Sequence, residues 1–176
     1  MVFGDASTTT PTTPTVINQM VMRFNSGYRL FSNSGLTQGV YMLGNTSGWT
    51  NISDRNLKEN FEEINDEELL TKIKNLSITK WNYKGVDPGI KYIGPMAQDF
   101  YQAFKLGGTD SLGINTISID GVNMAAIKAL VNRTDKLKQK ELKWDQTSAK
   151  VEEQQKEIDA LKMEIEALKK LLKDKK

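Results

Sequence analysis

The feature that most constrains the fold is an apolar residue at every seventh position in the last third of the chain. This column, position a of a heptad, is unbroken and consists of Leu130, Leu137, Trp144, Val151, Ile158, Ile165 and Leu172. A repeat of seven keeps one side of an α-helix facing a partner helix, as in a coiled coil. Residues 122–176 are therefore predicted to form one long helix that packs against other helices.

The second apolar column of the heptad, position d, is complete only near the C-terminal end. Its first members are polar or charged, namely Arg133, Lys140, Thr147 and Gln154. Upstream, the helix is therefore expected to pack on a globular domain or in a looser bundle. A full apolar seam is predicted from the last residues of both columns, which are Val151, Ile158, Leu161, Ile165, Leu168 and Leu172.

Charges beside the seam indicate a parallel arrangement. Glu157 and Glu164 occupy position g, and Lys162 and Lys169 occupy position e, five residues later. That spacing brings opposite charges together in a parallel, in-register coil. Isoleucine at a with leucine at d favours two chains, so the heptads alone leave the choice between dimer and trimer open.

Charge is distributed unevenly along the chain. Only Asp5, Arg23 and Arg29 are charged before Ser53, and charged residues are frequent after it. The net charge of +2 gives no strong field to attract nucleic acid or an anionic membrane. No apolar run approaches the ~20 residues that span a bilayer, and the first residues lack the features of a signal peptide. Neither nucleic acid nor a membrane is expected as a partner.

The part before Ser53 divides into two segments. Residues 1–16 are a polar tract of threonine and proline, predicted to be a flexible linker. Residues 17–52 alternate apolar runs with turns rich in Asn and Gly, and strands are predicted at 17–24, 28–31 and 40–43. Because three short strands bury too little surface to be stable alone, we interpret this segment as the β-rich end of a fibre that interdigitates with copies of itself. A small meander packed on the next domain is the alternative.

Residues 53–121 are predicted to be a compact domain of the α+β class. A helix is expected after Asn65, because an Asx cap precedes acidic residues that suit the positive end of the helix dipole. A hairpin is predicted from residues 78–83 and 91–93, followed by a second helix. Residues 114–119 alternate in pattern and are predicted to be a further strand.

Ser53 and Lys58 form a candidate catalytic pair at the boundary where charge becomes frequent. The chain contains no cysteine and no histidine, so a nucleophile must be a hydroxyl, and a base must be lysine, a carboxylate or tyrosine. The Oγ of Ser53 can attack the carbonyl carbon of Ile52 if a neutral Lys58 accepts its proton. Residues five apart meet only across a turn or between neighbouring chains.

From the spacing alone, a structural role for this pair is favoured over catalysis. In that case Ser53 caps the turn that begins at Asp54, and Lys58 is a surface charge. If the pair is catalytic, Asp54 can orient the backbone or stabilise the new N-terminus, and Asn56 can donate a hydrogen bond to the oxyanion. No metal site and no cofactor are predicted, because histidine and cysteine are absent and the carboxylates do not cluster.

Three segments, in this order, resemble a known family. Residues 53–60 read SDRNLKEN, residues 92–100 read YIGPMAQDF, and residues 120–130 read DGVNMAAIKAL. Together they resemble the self-cleaving intramolecular chaperone domain at the C-terminus of phage endosialidase tailspikes and of many bacterial tail-fibre-like proteins. The resemblance extends from about Ser53 to the C-terminus. Tyr92 departs from the family pattern, which has histidine at that position.

The resemblance implies a homotrimer that helps an upstream fibre segment of the same chain to fold and then cuts itself free. It places the nucleophile at Ser53 and the base at Lys58, as a single-turnover serine peptidase that cleaves the Ile52–Ser53 bond, with the Ser53–Asp54 bond as the alternative. It also implies that the chain is located in a virion tail fibre or a bacterial surface fibre. We favour three chains on this basis.

Two other functions remain open from the sequence. A non-cleaving trimeric tip of a fibre or adhesin would use the same architecture without the cut. A DNA-binding regulator would carry a similar self-cleaving domain, but the residues contain no basic patch and no DNA-binding motif.

Overall fold

The computed structural model describes residues 1–173 and divides into two compact units, Met1–Glu62 and a second that begins at Glu63. The predicted α+β class is confirmed: both strands and helices are present, and a long helix ends the described part of the chain. No helix in this part combines the length and the apolar character needed to cross a membrane.

The first unit contains five short strands in two sheets. They are β1 (Val2–Gly4), β2 (Val21–Arg23), β3 (Gly27–Phe31), β4 (Gly39–Leu43) and β5 (Thr50–Asn51). Strands β3 and β4 confirm the strands predicted at residues 28–31 and 40–43. The short strand β5 completes an antiparallel sheet of order β3-β4-β5. A parallel pair, β1 with β2, forms the other sheet.

Strand β2 is shorter than the strand predicted at residues 17–24, and its partner comes from an unexpected place. Strand β1 lies within the tract predicted to be a flexible linker, and Val2 pairs with Val21. The tract rich in threonine and proline forms the loop between these strands, whereas the first residues of the chain are apolar and include β1. Residues far apart in sequence therefore supply each other's backbone hydrogen bonds.

The second unit contains helix α1 (Asp66–Asn75), strands β6 (Thr79–Trp81) and β7 (Tyr92–Gly94), helix α2 (Ala97–Phe104) and helix α3 (Thr116–Lys173). Helix α1 begins as predicted, because the side chain of Asn65 accepts hydrogen bonds from the amides of Glu67 and Glu68. Strands β6 and β7 form the predicted antiparallel hairpin. The buried apolar side chains are Leu69 on α1, Phe100 on α2 and Ala129 on α3.

The strand predicted at residues 114–119 is wrong, because α3 already begins at Thr116. The Asn115 side chain accepts hydrogen bonds from the amides of Ile117, at 2.8 Å, and Ser118, at 3.4 Å. Such a cap satisfies the first free amides of a helix. It outweighs the preference of the isoleucines in this segment for extended structure. The long helix therefore starts earlier than the predicted residue 122.

Helix α3 contains 58 residues and is therefore about 87 Å long at 1.5 Å per residue. Ala129 is its one buried residue, and all the seam residues from Val151 to Leu172 are exposed in the single chain. Lys162 pairs with Asp159 at 3.2 Å, and Lys169 pairs with Glu166 at 2.7 Å. These are contacts within one helix, so the predicted pairing with Glu157 and Glu164 of a neighbouring helix stays a prediction.

Candidate active site

A single turn of 3-10 helix, Arg55–Leu57, follows Ser53 directly. Asp54 is the residue that caps this turn: its carboxylate oxygen Oδ1 accepts a hydrogen bond from the amide of Asn56 at 2.9 Å. The amide of Leu57 donates to the carbonyl of Asp54 at 3.2 Å, and the amide of Lys58 donates to the carbonyl of Arg55 at 3.1 Å. Asp54, and not Ser53, therefore supplies the cap that the structural interpretation assigned to serine.

The turn brings Ser53 and Lys58 together within one chain. The Nζ of Lys58 lies 2.6 Å from the Oγ of Ser53, within hydrogen-bond distance. Proton transfer between a nucleophile and its base requires a separation of about this size. Of the two routes that the spacing left open, the turn is the one that the structure contains.

The bond on the N-terminal side of Ser53 lies at the end of a sheet. Ile52 directly follows β5, and its amide donates to the carbonyl of Gly39 at 3.1 Å. Ile52 is half-buried, whereas Ser53 and Lys58 are exposed. The Ile52–Ser53 peptide bond therefore joins a residue held by the sheet to a residue at the entrance of the turn.

The side chain of Asn56 is engaged inside the turn. Its Nδ2 donates to Oδ1 of Asp54 at 3.1 Å, so the same carboxylate oxygen accepts both hydrogen bonds from Asn56. Donation by Asn56 to an oxyanion at Ile52 would require this side-chain bond to break. The oxyanion role stays a prediction.

Two features beside the turn were missed by sequence reasoning. The guanidinium of Arg55 lies over the ring of Phe61, 5.5 Å from its centroid. Asn60, just before that phenylalanine, has a left-handed backbone with a φ of 53°, a conformation that asparagine adopts more readily than most residues. Asn60 indicates from the sequence that the chain can turn here. No spacing rule, however, predicts a contact between residues six apart, such as Arg55 and Phe61.

Tyr92 lies in the second unit. It is part of an aromatic cluster with Trp81 and Tyr83 on the β6–β7 hairpin. Its ring stacks on that of Trp81, with centroids 5.0 Å apart and planes inclined by 25°. Trp81 and Tyr92 are directly paired across the two strands, which explains why the rings meet.

Comparison with known families shows what this arrangement is similar to. Residues 53–108 match the model of the family described as chaperone of endosialidase. The resemblance found in the sequence is confirmed for these residues, and residues 120–130, the third segment that carries it, lie beyond the match. The matched segment is similar to endosialidase-type chaperone domains, and that family is of the self-cleaving serine-peptidase type. No curated protein matches the chain.

The match to the endosialidase-type chaperone begins at Ser53 itself and ends before α3. It includes Lys58 and Tyr92, so the family segment contains the candidate pair and the aromatic hairpin. Its first residues, up to Glu62, belong to the first compact unit. The family supports a chaperone role for the chain and suggests an association with phage tails.

Proposed function

We propose that this chain is a homotrimeric intramolecular chaperone that assembles the β-rich segment before Ser53 and then releases it by one self-cleavage. The observation that carries the proposal is the 2.6 Å contact between Lys58 and Ser53 at the first residues of the matched chaperone domain. The parent molecule is a virion tail fibre or a bacterial surface fibre, and the partners are two further copies of the chain and its own upstream segment.

The proposed cleavage is an acyl shift followed by hydrolysis. Neutral Lys58 takes the proton from Oγ of Ser53, and Oγ attacks the carbonyl carbon of Ile52. The carbon–nitrogen bond then breaks, the proton passes from Lys58 to the leaving nitrogen of Ser53, and an ester joins Ile52 to Oγ. Water hydrolyses this ester, which leaves a carboxylate on Ile52 and a free amine on Ser53.

Cleavage is expected to follow assembly. Both Ser53 and Lys58 are exposed to water in the single chain. A lysine accepts a proton only in its neutral form, which burial or a nearby cation favours. A neighbouring chain that covers the turn would supply that burial, so an unassembled chain would not cut itself prematurely.

Assembly through α3 is supported by the apolar surface that the helix exposes. The side chains of Val151 and Ile158 are 57% and 46% exposed, and Leu172 is 70% exposed. Removing such surface from water contributes about 25 cal/mol per Å², so a seam of six such residues contributes several kcal/mol per chain. A trimer also concentrates three β-rich segments and fixes their register, which offsets the entropy cost that slows non-local β pairing.

The alternative is a trimeric fibre tip that does not cleave. The exposure of both side chains to water favours it, because a lysine base needs the burial or the nearby cation that keeps its amine neutral. The intact mass of the assembled protein under denaturing conditions separates the two functions. Two fragments support the chaperone, and a single intact chain supports the tip.

A further inference from the structure

The 3-10 turn that brings Lys58 to Ser53 depends on one carboxylate oxygen. Oδ1 of Asp54 accepts from the backbone amide of Asn56 at 2.9 Å and from its side-chain Nδ2 at 3.1 Å. The first amides of any helical turn have no partner within the turn, so a cap must supply one. A single turn is unfavourable on its own. Without the cap, the segment is expected to populate this conformation much less.

The position of Lys58 follows from that conformation. Asp54 has φ −66° and ψ 132°, and Lys58 is again extended, with φ −127° and ψ 149°. The turn between them reverses the chain enough for two side chains five residues apart to meet. The guanidinium of Arg55 lies over the ring of Phe61, 5.5 Å from its centroid, so a second contact joins the turn to the chain beyond Lys58.

We propose that Asp54 is a positioning residue for the self-cleavage, and that it acts through its hydrogen-bond acceptor and not through its charge. This inference rests on the proposed function. The side-chain contacts of Asp54 are the two hydrogen bonds from Asn56, and both end on the oxygen that caps the turn. The useful property of Asp54 is therefore the oxygen that caps the turn. Asparagine caps helices about as well as aspartate and keeps that oxygen.

The test compares Asp54→Ala, Asp54→Asn and the unmodified full chain, with the cleaved fraction followed over time by denaturing mass spectrometry during refolding. Asp54→Ala is expected to slow cleavage about fivefold, the factor that corresponds to about 1 kcal/mol of lost capping. Asp54→Asn is expected to cleave at least as fast as the unmodified chain. A purely electrostatic role would make both variants slow.

Asp87→Ala is the matched control. Oδ1 of Asp87 accepts from the amide of Gly89 at 2.8 Å in another exposed turn, so the variant removes the same kind of contact away from Ser53. It is expected to cleave at the unmodified rate.

A second measurement does not depend on cleavage, because it uses the Ser53→Ala protein. In this background, Asp54→Ala is expected to speed hydrogen exchange of the Asn56 amide, and Asp54→Asn is expected to leave that exchange rate nearly unchanged.

The outcomes separate this inference from the proposed function. If the unmodified assembled chain is not cut, the proposed function fails, and the positioning role fails with it. If the unmodified chain is cut and Asp54→Ala is cut equally fast, the positioning role alone is overturned. If Asp54→Asn is as slow as Asp54→Ala, the charge is required and the acceptor mechanism is overturned.

Discussion

The side-chain Nδ2 of Asn132 donates a hydrogen bond to Oδ2 of Asp66 over 2.8 Å, although 66 residues separate them in the sequence. Asp66 is the first residue of α1, and Asn132 lies on α3. The contact is partly buried, in the same helix pair as buried Leu69 and Ala129. It holds the start of α1 on the long helix and fixes which face of α3 the short helix covers.

Asn132→Ala is therefore expected to destabilise the second unit by about 1.5 kcal/mol, the lower end of the contribution of a hydrogen bond to a charged group, because the contact is only partly buried. Chemical unfolding of the Ser53→Ala protein, followed by circular dichroism, measures the change. Asn123→Ala is the control, because Asn123 is exposed on the same helix and the change in helix propensity is the same. Equal effects of the two substitutions would show that the contact with Asp66 contributes nothing.

The start of α1 also shows which parts of the fold can be predicted from sequence. Asn65 caps α1 with its own side chain, and strands β6 and β7 pair as the predicted antiparallel hairpin. Both signals are local, and both predictions are confirmed. The pairing of Val2 with Val21 across the Thr/Pro tract is not local, and composition describes the tract without revealing that its ends meet.

The candidate site shows the same division between local and non-local information. Ser53 and Lys58 could be predicted from the sequence as the candidate nucleophile and base, because the chain offers few other residues for these roles. Their spacing left open a contact across a turn or between chains, since no rule fixes the geometry of a single 3-10 turn. Three features could not be predicted from the sequence: the cap by Asp54, the bond from Asn56 to that cap and the contact of the Arg55 guanidinium with the ring of Phe61.

Replacing seam residues with aspartate is expected to separate the chains. Ile158→Asp with Ile165→Asp would place unpaired charges in the apolar seam, at a cost of several kcal/mol per chain. Light scattering is expected to show a trimer for the unmodified protein and a monomer for the double variant. Met163→Asp is the control, because Met163 is 76% exposed and lies at heptad position f, away from the seam. A stable monomer of the unmodified chain would contradict assembly through α3.

The upstream segment is expected to depend on the downstream one for folding. Its strands are two to five residues long, and sheets this small are marginal in water. Residues 1–52 expressed alone should be disordered or aggregated, whereas the same residues released from the full-length protein should stay folded. Amide NMR spectra compare the two samples. Well-dispersed spectra from the separately expressed fragment would argue against the chaperone role.

Acid is expected to loosen the pairing of β1 with β2. Hydrogen bonds from the Ser7 side chain, then from the backbone amides of Asn25 and Ser7, hold the pKa of the Asp5 carboxyl below its usual value. A lowered pKa means that the carboxylate stabilises the fold above the unfolded value, near pH 4. This stabilisation is lost as the pH falls through the lower folded pKa.

The amide signals of Ser7 and Asn25 report this titration in an NMR experiment. Both are expected to shift together at a pH below 4, where Asp5 becomes protonated. Asp5→Asn should remove the shared transition, because an amide side chain does not titrate. A transition that persists in this variant would assign it to another group.

The central proposal, self-cleavage by Ser53 and Lys58, is tested most directly by the mass of the assembled protein under denaturing conditions. The unmodified chain is expected to yield two fragments, with the downstream one beginning at Ser53. Three variants should stay intact and still assemble, namely Ser53→Ala, Lys58→Ala and Lys58→Arg. Arginine is not expected to replace the lysine, because a guanidinium cannot give up its proton to act as a base. Lys84→Ala, which removes another exposed lysine, should be cut normally. A single intact mass for the assembled unmodified chain, or normal cutting of Lys58→Ala, would contradict the proposal.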